Sequence, residues 1–165
     1  MSAGAEAAQR EARELLAALR RDAPDRPFAE TVRGTCQSWQ ESTGIPVTLD
    51  LRPAEPPLAA RYELTQILHE ALRNVAQHAG ADRVEVALAP SAGQIQLTVR
   101  DNGAGFGMPA DLSELSIRGS FGVVGMSERA KTAGGRLAVV SRPGGGTVIA
   151  VTVPALPVAR GVGSP

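Results

Sequence analysis

Glu70 and Asn74 stand one helical turn apart in the run His69-Glu70-Ala71-Leu72-Arg73-Asn74-Val75-Ala76-Gln77-His78-Ala79, and two strand-like segments later comes Asp101-Asn102-Gly103-Ala104-Gly105. Carboxylate and amide oxygens are the hard ligands magnesium prefers, and magnesium uses few protein ligands when it also holds substrate phosphates. An aspartate at a strand end can accept a hydrogen bond from an amino group such as the exocyclic amine of adenine. Glycines beside it permit positive φ and close approach of the backbone to a ligand. Each signal is weak alone: an isolated Glu/Asn pair is commonly a solvated helix face, and Asp-Asn-Gly is an ordinary turn. Their succession along one chain points to a magnesium-nucleotide site.

The elements that must position these groups follow from periodicity. Leu64, Ile67, Leu68, Ala71, Leu72 and Val75 recur at the three-and-four spacing of a helix with one buried stripe. At about 100° per residue, Glu70, Asn74, Gln77 and His78 fall beside that stripe, at the rim of a core. Ile95, Leu97 and Val99 alternate with Gln94, Gln96, Thr98 and Arg100, which reads as a half-buried strand delivering Asp101 at its end.

Two further glycine clusters follow. Gly119-Ser120-Phe121-Gly122-Val123-Val124-Gly125-Met126 runs into Ser127-Glu128-Arg129-Ala130-Lys131, which reads as a helix fed by flexible glycines. Free N–H groups and the positive dipole end at such a terminus suit phosphate; a turn with a helix cap would use the same residues. The chain has no Gly-Lys-Ser/Thr of a Walker loop and no strand-then-GxGxxG context. Pro143-Gly144-Gly145-Gly146-Thr147 sits between strand candidates at 136–140 and 147–153, where a hairpin turn explains the glycines. Thr147 could add a hydroxyl to the nucleotide site.

In this order the boxes resemble the catalytic ATP-binding domain (HATPase_c) of sensor histidine kinases, in the GHKL superfamily shared with DNA gyrase, heat-shock chaperones of the same fold and MutL. The N box is Glu70, Asn74 and His78, the first glycine box Asp101, Gly103 and Gly105, the second Gly122 and Gly125, and the terminal signal Gly-Gly-Gly-Thr. The short span between the glycine boxes and the run Phe121-Gly-Val-Val-Gly-Met-Ser-Glu-Arg-Ala look most like the NarL/DesK-type two-component kinases. The resemblance covers about residues 44–154.

Carried over residue by residue, it implies ATP and Mg2+ as ligands. Asn74 would hold magnesium and Glu70 would polarise or orient the reacting centre, so these two are the catalytic candidates. Asp101 would read the adenine amine, directly and through water shared with Thr147. Gly103, Gly105, Gly122, Val123 and Gly125 would shape the lid and the phosphate cradle, with His78 near the phosphates. Residues 106–121 would be the ATP lid, of the kind that orders around nucleotide. Gln77 departs from the Lys or Arg that family members often carry there, which implies weaker phosphate holding.

Composition fits a compact domain. The chain has 165 residues, 43% of them hydrophobic, enough for one domain with a real core. Seventeen basic and seventeen acidic residues balance to zero, which argues against a general nucleic-acid or anionic-membrane binder. A single cysteine, Cys36, excludes an internal disulfide and suits a reducing cytoplasm. No apolar run spans a bilayer and no signal-peptide h-region is present; a membrane sensor, if there is one, would lie outside this chain.

Helical stretches are expected at 5–21, with Leu15, Leu16 and Leu19 on one side, and at 28–42, with Val32, Cys36 and Trp39, joined by a linker at 22–27. By resemblance the first looks like the end of a dimerisation helix; a surface helix packed on its own domain is the alternative. A first or edge strand at 45–51, a proline-rich loop at 52–57 and a strand at 83–89 bring the strand number to about five. The expected fold is an α/β sandwich of the α+β kind, the Bergerat fold, with a mixed, mostly antiparallel sheet covered by helices on one face. Residues 1–22 would be the helix, 23–154 the catalytic domain and 155–165 a flexible tail.

His69-Glu70 superficially imitates the start of a phosphorylation box, but with Asn74 a turn further on the same segment already fits the nucleotide motif. The phosphoacceptor is therefore expected outside this chain, on a dimerisation domain, with a response regulator as the onward partner. Anti-sigma factor serine kinases of the same fold, and a nucleotide-gated interaction module without useful transfer, are the other two readings.

Overall fold

The computed structural model describes residues 3–21, 26–107 and 121–156. Their elements run α1 (Ala3–Arg21), α2 (Phe28–Thr43), β1 (Val47–Leu51), α3 (Leu58–Asn74) continued by a π-helical turn (Val75–Ala79), β2 (Val84–Ser91), β3 (Gln94–Asp101), α4 (Phe121–Thr132), β4 (Arg136–Ser141) and β5 (Thr147–Pro154). The described strands form one sheet in the order β1-β2-β3-β5-β4. Only β1 and β2 pair in parallel; the other neighbours are antiparallel. The mixed, mostly antiparallel sheet read from the alternation is the one observed.

Alternation makes this sheet one-sided. Val84, Val86 and Leu88 on β2, Ile95, Leu97 and Val99 on β3, and Ile149, Val151 and Val153 on β5 are all buried. The opposite face carries Glu85, Gln94, Gln96, Arg100 and Arg136, all exposed. The apolar face requires a cover, and α3 supplies most of it: Leu64, Ile67, Leu68, Ala71, Leu72 and Val75 are buried in the same core. From α2 come Phe28, Val32 and Cys36, and from α4 Val123, Met126 and Ala130. Burial pushes the Cys36 thiol up to about 12, so it stays protonated and behaves as a small apolar residue.

Helix ends are set by local chemistry. Gly44, at φ 74°, ends α2 in the left-handed conformation, its N–H donating to the Gln40 carbonyl at 2.8 Å. Pro27 and Pro57 precede α2 and α3, where a missing backbone N–H would go unpaired in any case. A buried Arg61 ties the two helices together: its guanidinium reaches Glu55 at 3.0 Å and the Arg26 carbonyl at 2.8 Å, and lies 5.4 Å from the Phe28 ring centre.

Two expected boundaries move. The second glycine cluster was expected to feed a helix starting near Ser127, but α4 begins at Phe121 and contains Gly122 and Gly125. Val123, Met126 and Ala130 recur at three and four, and the gain from burying that stripe outweighs the roughly 1 kcal/mol that each interior glycine costs. The helix carrying Asn74 does not continue regularly either: from Val75 it widens into the π turn, ended by Gly80 at φ 60°. Residues Gly4 to Leu16 of α1 are exposed. The expected linker at Asp22 to Asp25, most of the expected lid (108–120) and most of the expected tail (157–165) lie outside the described residues.

Burial gives the sequence positions very different weights. Leu68, 1% exposed, stands under the sheet, whereas Val140, 59% exposed, stands on the uncovered face. Leu68→Ala is expected to cost about 2–5 kcal/mol of unfolding free energy and Val140→Ala less than about 1 kcal/mol, read from urea denaturation midpoints.

Candidate active site

The strand register puts three pieces of chain at one end of the sheet: the end of α3, which leads into β2 at Val84, the loop after Asp101, which pairs with Val84, and the β4–β5 turn, which ends at Thr147 opposite Asp101. Asp101 ends β3 on the covered face and is only 9% exposed. Its Oδ1 accepts the Gly103 N–H at 2.8 Å, closing a turn of the aspartate type. The other carboxylate oxygen has no hydrogen-bond partner among the described residues, yet it is not sealed from solvent. It is an open acceptor at the edge of the core.

The neighbours of Asp101 are fixed by register and by contact. Thr147 pairs with it across β3 and β5, so both side chains leave the sheet on the same face. Gly146, at φ 72°, packs against the Asp101 carbonyl so closely that a Cβ would overlap it, with the Asp101 carbonyl carbon at 3.1 Å. Gly105, at φ 64°, does the same against the Arg142 carbonyl. Gly103 lacks the positive φ expected of it; it is buried, and its role is the N–H given to Asp101. The close approaches that these glycines allow are to the hairpin, which locks the loop after Asp101 against the β4–β5 turn.

Glu70 and Asn74 sit half-buried at the rim predicted for them. They face Gly122: a Cβ on that residue would run into Glu70 Oε1 and stand 3.2 Å from Asn74 Nδ2. The N box and the second glycine box are thus in direct contact, through the first turn of α4. Gly122 and Val123 open the described part of α4, and the Val123 side chain is buried, which leaves only its backbone to face a ligand. Gly125 lies beyond the first turn, with open space around its Cα. Glu70 also lies 3.9 Å from Arg73 Nε.

His78 and Gln77 are exposed on the π turn rather than aligned with Glu70 and Asn74. A π turn spaces its hydrogen bonds at five residues instead of four, which shifts the phase of everything after Asn74 relative to the regular helix assumed from sequence. No hydrogen bond or ion pair holds His78 among the described residues. His69 is an exposed residue of α3. No cluster of three or more His, Cys, Asp or Glu able to hold a metal occurs among the described residues. The donors that remain, Asn74 and its neighbour Glu70, suit a hard cation that takes most of its oxygens from phosphates and water.

Sequence reasoning passed over three groups. The Asn102 carboxamide oxygen accepts from the N–H groups of Asp82 and Arg83 at 3.1 and 3.2 Å and its NH2 donates to Asp82, pinning the loop to the start of β2. Ser141 ties Phe106 to the hairpin. Arg129 on α4 pairs with Glu63 on α3 at 3.1 Å, fastening the helix that bears Gly122. Burial works against the Arg129 charge, but the hydrogen bond and charge of Glu63 raise its pKa above the ordinary value. Asn102 lay inside a quoted motif; Ser141 and Arg129 became meaningful only with their partners.

Residues 60–157 match the family of histidine kinase-, DNA gyrase B- and HSP90-like ATPases. The chain belongs to that family. Over 143 residues it is 34% identical to the nitrate/nitrite sensor protein NarX of Escherichia coli, covering 85% of this chain and 23% of NarX. It is 34% identical over 155 residues to the sensor histidine kinase LiaS of Bacillus subtilis, covering 93% of this chain and 42% of LiaS. The signal transduction kinase/phosphatase DegS of Brevibacillus brevis is 32% identical over 147 residues. This ATPase domain therefore spans less than half the length of each of these relatives. The histidine kinase domain of the blue-light activated kinase from Erythrobacter litoralis EL346 has the same fold, with a TM-score of 0.67 at 22% identity over 78% of this chain and 61% of that one. The expected GHKL fold is thereby the observed one.

In this ATPase domain Gly122 is where α4 meets the N box. Gly122→Ala is expected to leave thermal stability within about 1 kcal/mol, since alanine favours the helix while the methyl displaces the flexible end of Glu70 and presses on the Asn74 amide, whose Nδ2 would stand 3.2 Å away. ATP affinity measured by calorimetry should nevertheless fall at least about tenfold.

Proposed function

We propose that the chain is the catalytic ATP-binding domain of a NarL/DesK-type two-component sensor histidine kinase. It would transfer the γ-phosphoryl of ATP to a histidine on a dimerisation domain outside the described structure, for relay to a response regulator. The observation that carries this reading is the contact of Glu70 and Asn74 with Gly122, in the same chain as an aspartate with one open carboxylate oxygen. Sequence similarity to NarX and LiaS, both named as sensors, supports the kinase class over other members of the superfamily. No described helix is long and apolar enough to cross a membrane. We assign the domain to the cytoplasm, where ATP and a response regulator are found.

Adenine would lie against Asp101 and Thr147, its amine donating to the open Asp101 oxygen. The triphosphate would run toward the first turn of α4, with the N–H groups of Gly122 and Val123 and the π turn bearing His78 on its flanks. Gly103 and Gly105 shape the loop beneath the base, and Gly125 allows close approach along α4. Magnesium, held through the Asn74 amide oxygen and the phosphates, would supply neutralisation of the charge on the transferring group. Glu70 orients the reacting centre from the neighbouring turn. In the transfer the bond between the γ-phosphorus and the bridging oxygen breaks, a phosphorus–nitrogen bond to the acceptor imidazole forms, and ADP leaves. Such transfer depends on positioning and charge stabilisation, so a site lacking a correctly held acceptor does little beyond slow hydrolysis. Gln77, which is exposed and uncharged, contributes no cation to the phosphates.

Asn74→Ala should remove the magnesium dependence of ATP binding and abolish transfer while the circular dichroism melt stays unchanged. Retained phosphotransfer in that variant would sink the metal assignment.

With labelled ATP, the chain alone should acquire no acid-labile phosphohistidine, whereas a supplied dimerisation domain carrying the acceptor should be labelled. Efficient self-labelling at His69 or His78 would overturn this, and acid-stable labelling of a serine in a supplied antagonist protein would indicate an anti-sigma kinase.

A further inference from the structure

Ser141 carries three polar contacts on one hydroxyl. It ends β4, is 7% exposed, and pairs directly with Thr147 of β5. The Phe106 N–H donates to its Oγ at 2.9 Å, its Oγ donates to the Gly146 carbonyl at 3.2 Å, and its Oγ lies 2.8 Å from Thr147 Oγ1. A hydroxyl has one hydrogen and two lone pairs, an N–H can only donate and a carbonyl can only accept. The single Ser141 hydrogen is therefore committed to Gly146. All three contacts hold together in one way only: Thr147 donates its own hydrogen to Ser141.

This fixes the chemistry of Thr147 toward anything on its far side. With its hydrogen turned back, Thr147 Oγ1 presents lone pairs and no donor. Beside it, across the β3–β5 register, stands the open Asp101 oxygen, also an acceptor. Two acceptors and no donor match a primary amine, which has two hydrogens to give. A carbonyl in the same place would meet lone pairs on both sides and leave buried polar groups unpaired.

We infer that Ser141 is a specificity-determining positioning residue, which holds the Thr147 hydroxyl as an acceptor beside Asp101 and so makes the site read the exocyclic amine of adenine and reject the carbonyl of guanine. The inference rests on the nucleotide reading proposed above. Without the Ser141 oxygen, the Thr147 hydroxyl is free to turn and donate, and the penalty against a carbonyl falls. The loss of the Phe106 contact weakens every nucleotide alike and cancels in a ratio of affinities.

The test is calorimetric titration of the full chain with ATP and with GTP, both with magnesium. Wild type should prefer ATP, and Ser141→Ala should reduce the ATP:GTP affinity ratio about three- to tenfold, the weight of one oriented hydrogen bond. Ser141→Cys, close in shape but a poor hydrogen-bonding partner, should shift the ratio in the same direction, and Ser141→Thr should preserve it. In a Thr147→Val background the serine change should alter the ratio by less than about twofold, because the two act through one contact. An unchanged ratio in the Ala and Cys variants, or an equal shift with and without Thr147, overturns the inference while the nucleotide site stands. A wild-type chain that binds ATP and GTP equally overturns the base-reading assignment of Asp101 as well.

Discussion

The arrangement depends on one packing constraint: a sheet apolar on a single face must be covered, and α3 is the main cover. Leu64, Ile67, Leu68 and Leu72 are buried against β3 and β5, and each such side chain contributes about 1.5–3 kcal/mol through area removed from water. That burial sets the rotation of α3 about its axis. Once the apolar stripe faces the sheet, Glu70 and Asn74 have no freedom of direction; they lie along the edge of the contact, facing α4. The catalytic candidates are held by the core although neither belongs to it.

A second constraint is the close approach of backbones at the other side of the site. Gly105 and Gly146 each occupy a positive φ at a point where a Cβ would overlap a carbonyl of the opposing segment. The loop after Asp101 and the β4–β5 turn are thereby held as one unit, further tied by Ser141 and by the Gly144 N–H donated to the Ala104 carbonyl. Such contacts are rigid because they involve main chain, and rigidity suits the part of the site proposed to read a base. The facing part is fastened differently. It starts at the N-terminus of α4, whose hold on α3 comes from Val123, Met126 and the Arg129–Glu63 pair. A charge pair of this kind, with Arg129 about one-third exposed, adds less than a desolvated one and permits more adjustment.

Much of this was legible along the chain. The apolar periodicities of α3, β2, β3 and β5 are local properties, since neighbouring residues in sequence remain neighbours in a regular element, and the one-sided alternation of the strands already required helices on one face. The four boxes were recognisable because their spacing reflects backbone geometry: a turn of helix between Glu70 and Asn74, a strand end at Asp101, a hairpin before Thr147. The departures occurred where local geometry was not regular. The π turn after Asn74 moved Gln77 and His78 out of the expected stripe, and the glycines of 122 and 125 lie in α4 because the burial of Val123 and Met126, a tertiary gain, outweighs their weak helix propensity.

The sequence by itself determined which elements form, which of their faces are apolar, and which residue types could serve a nucleotide, because those follow from side-chain chemistry and short-range spacing. Only the tertiary structure decided what each group does to its neighbours. That Gly122 rests on Glu70 and Asn74, separated from it by about fifty residues, depends on the docking of α4 beside α3. That the Gly103 N–H occupies one Asp101 oxygen and leaves the other open depends on the fold of a turn. The polarity of the Thr147 hydroxyl depends on Ser141, Gly146 and Phe106 meeting at one point, and a hydrogen bond acquires a direction only when every donor and acceptor around it is in place.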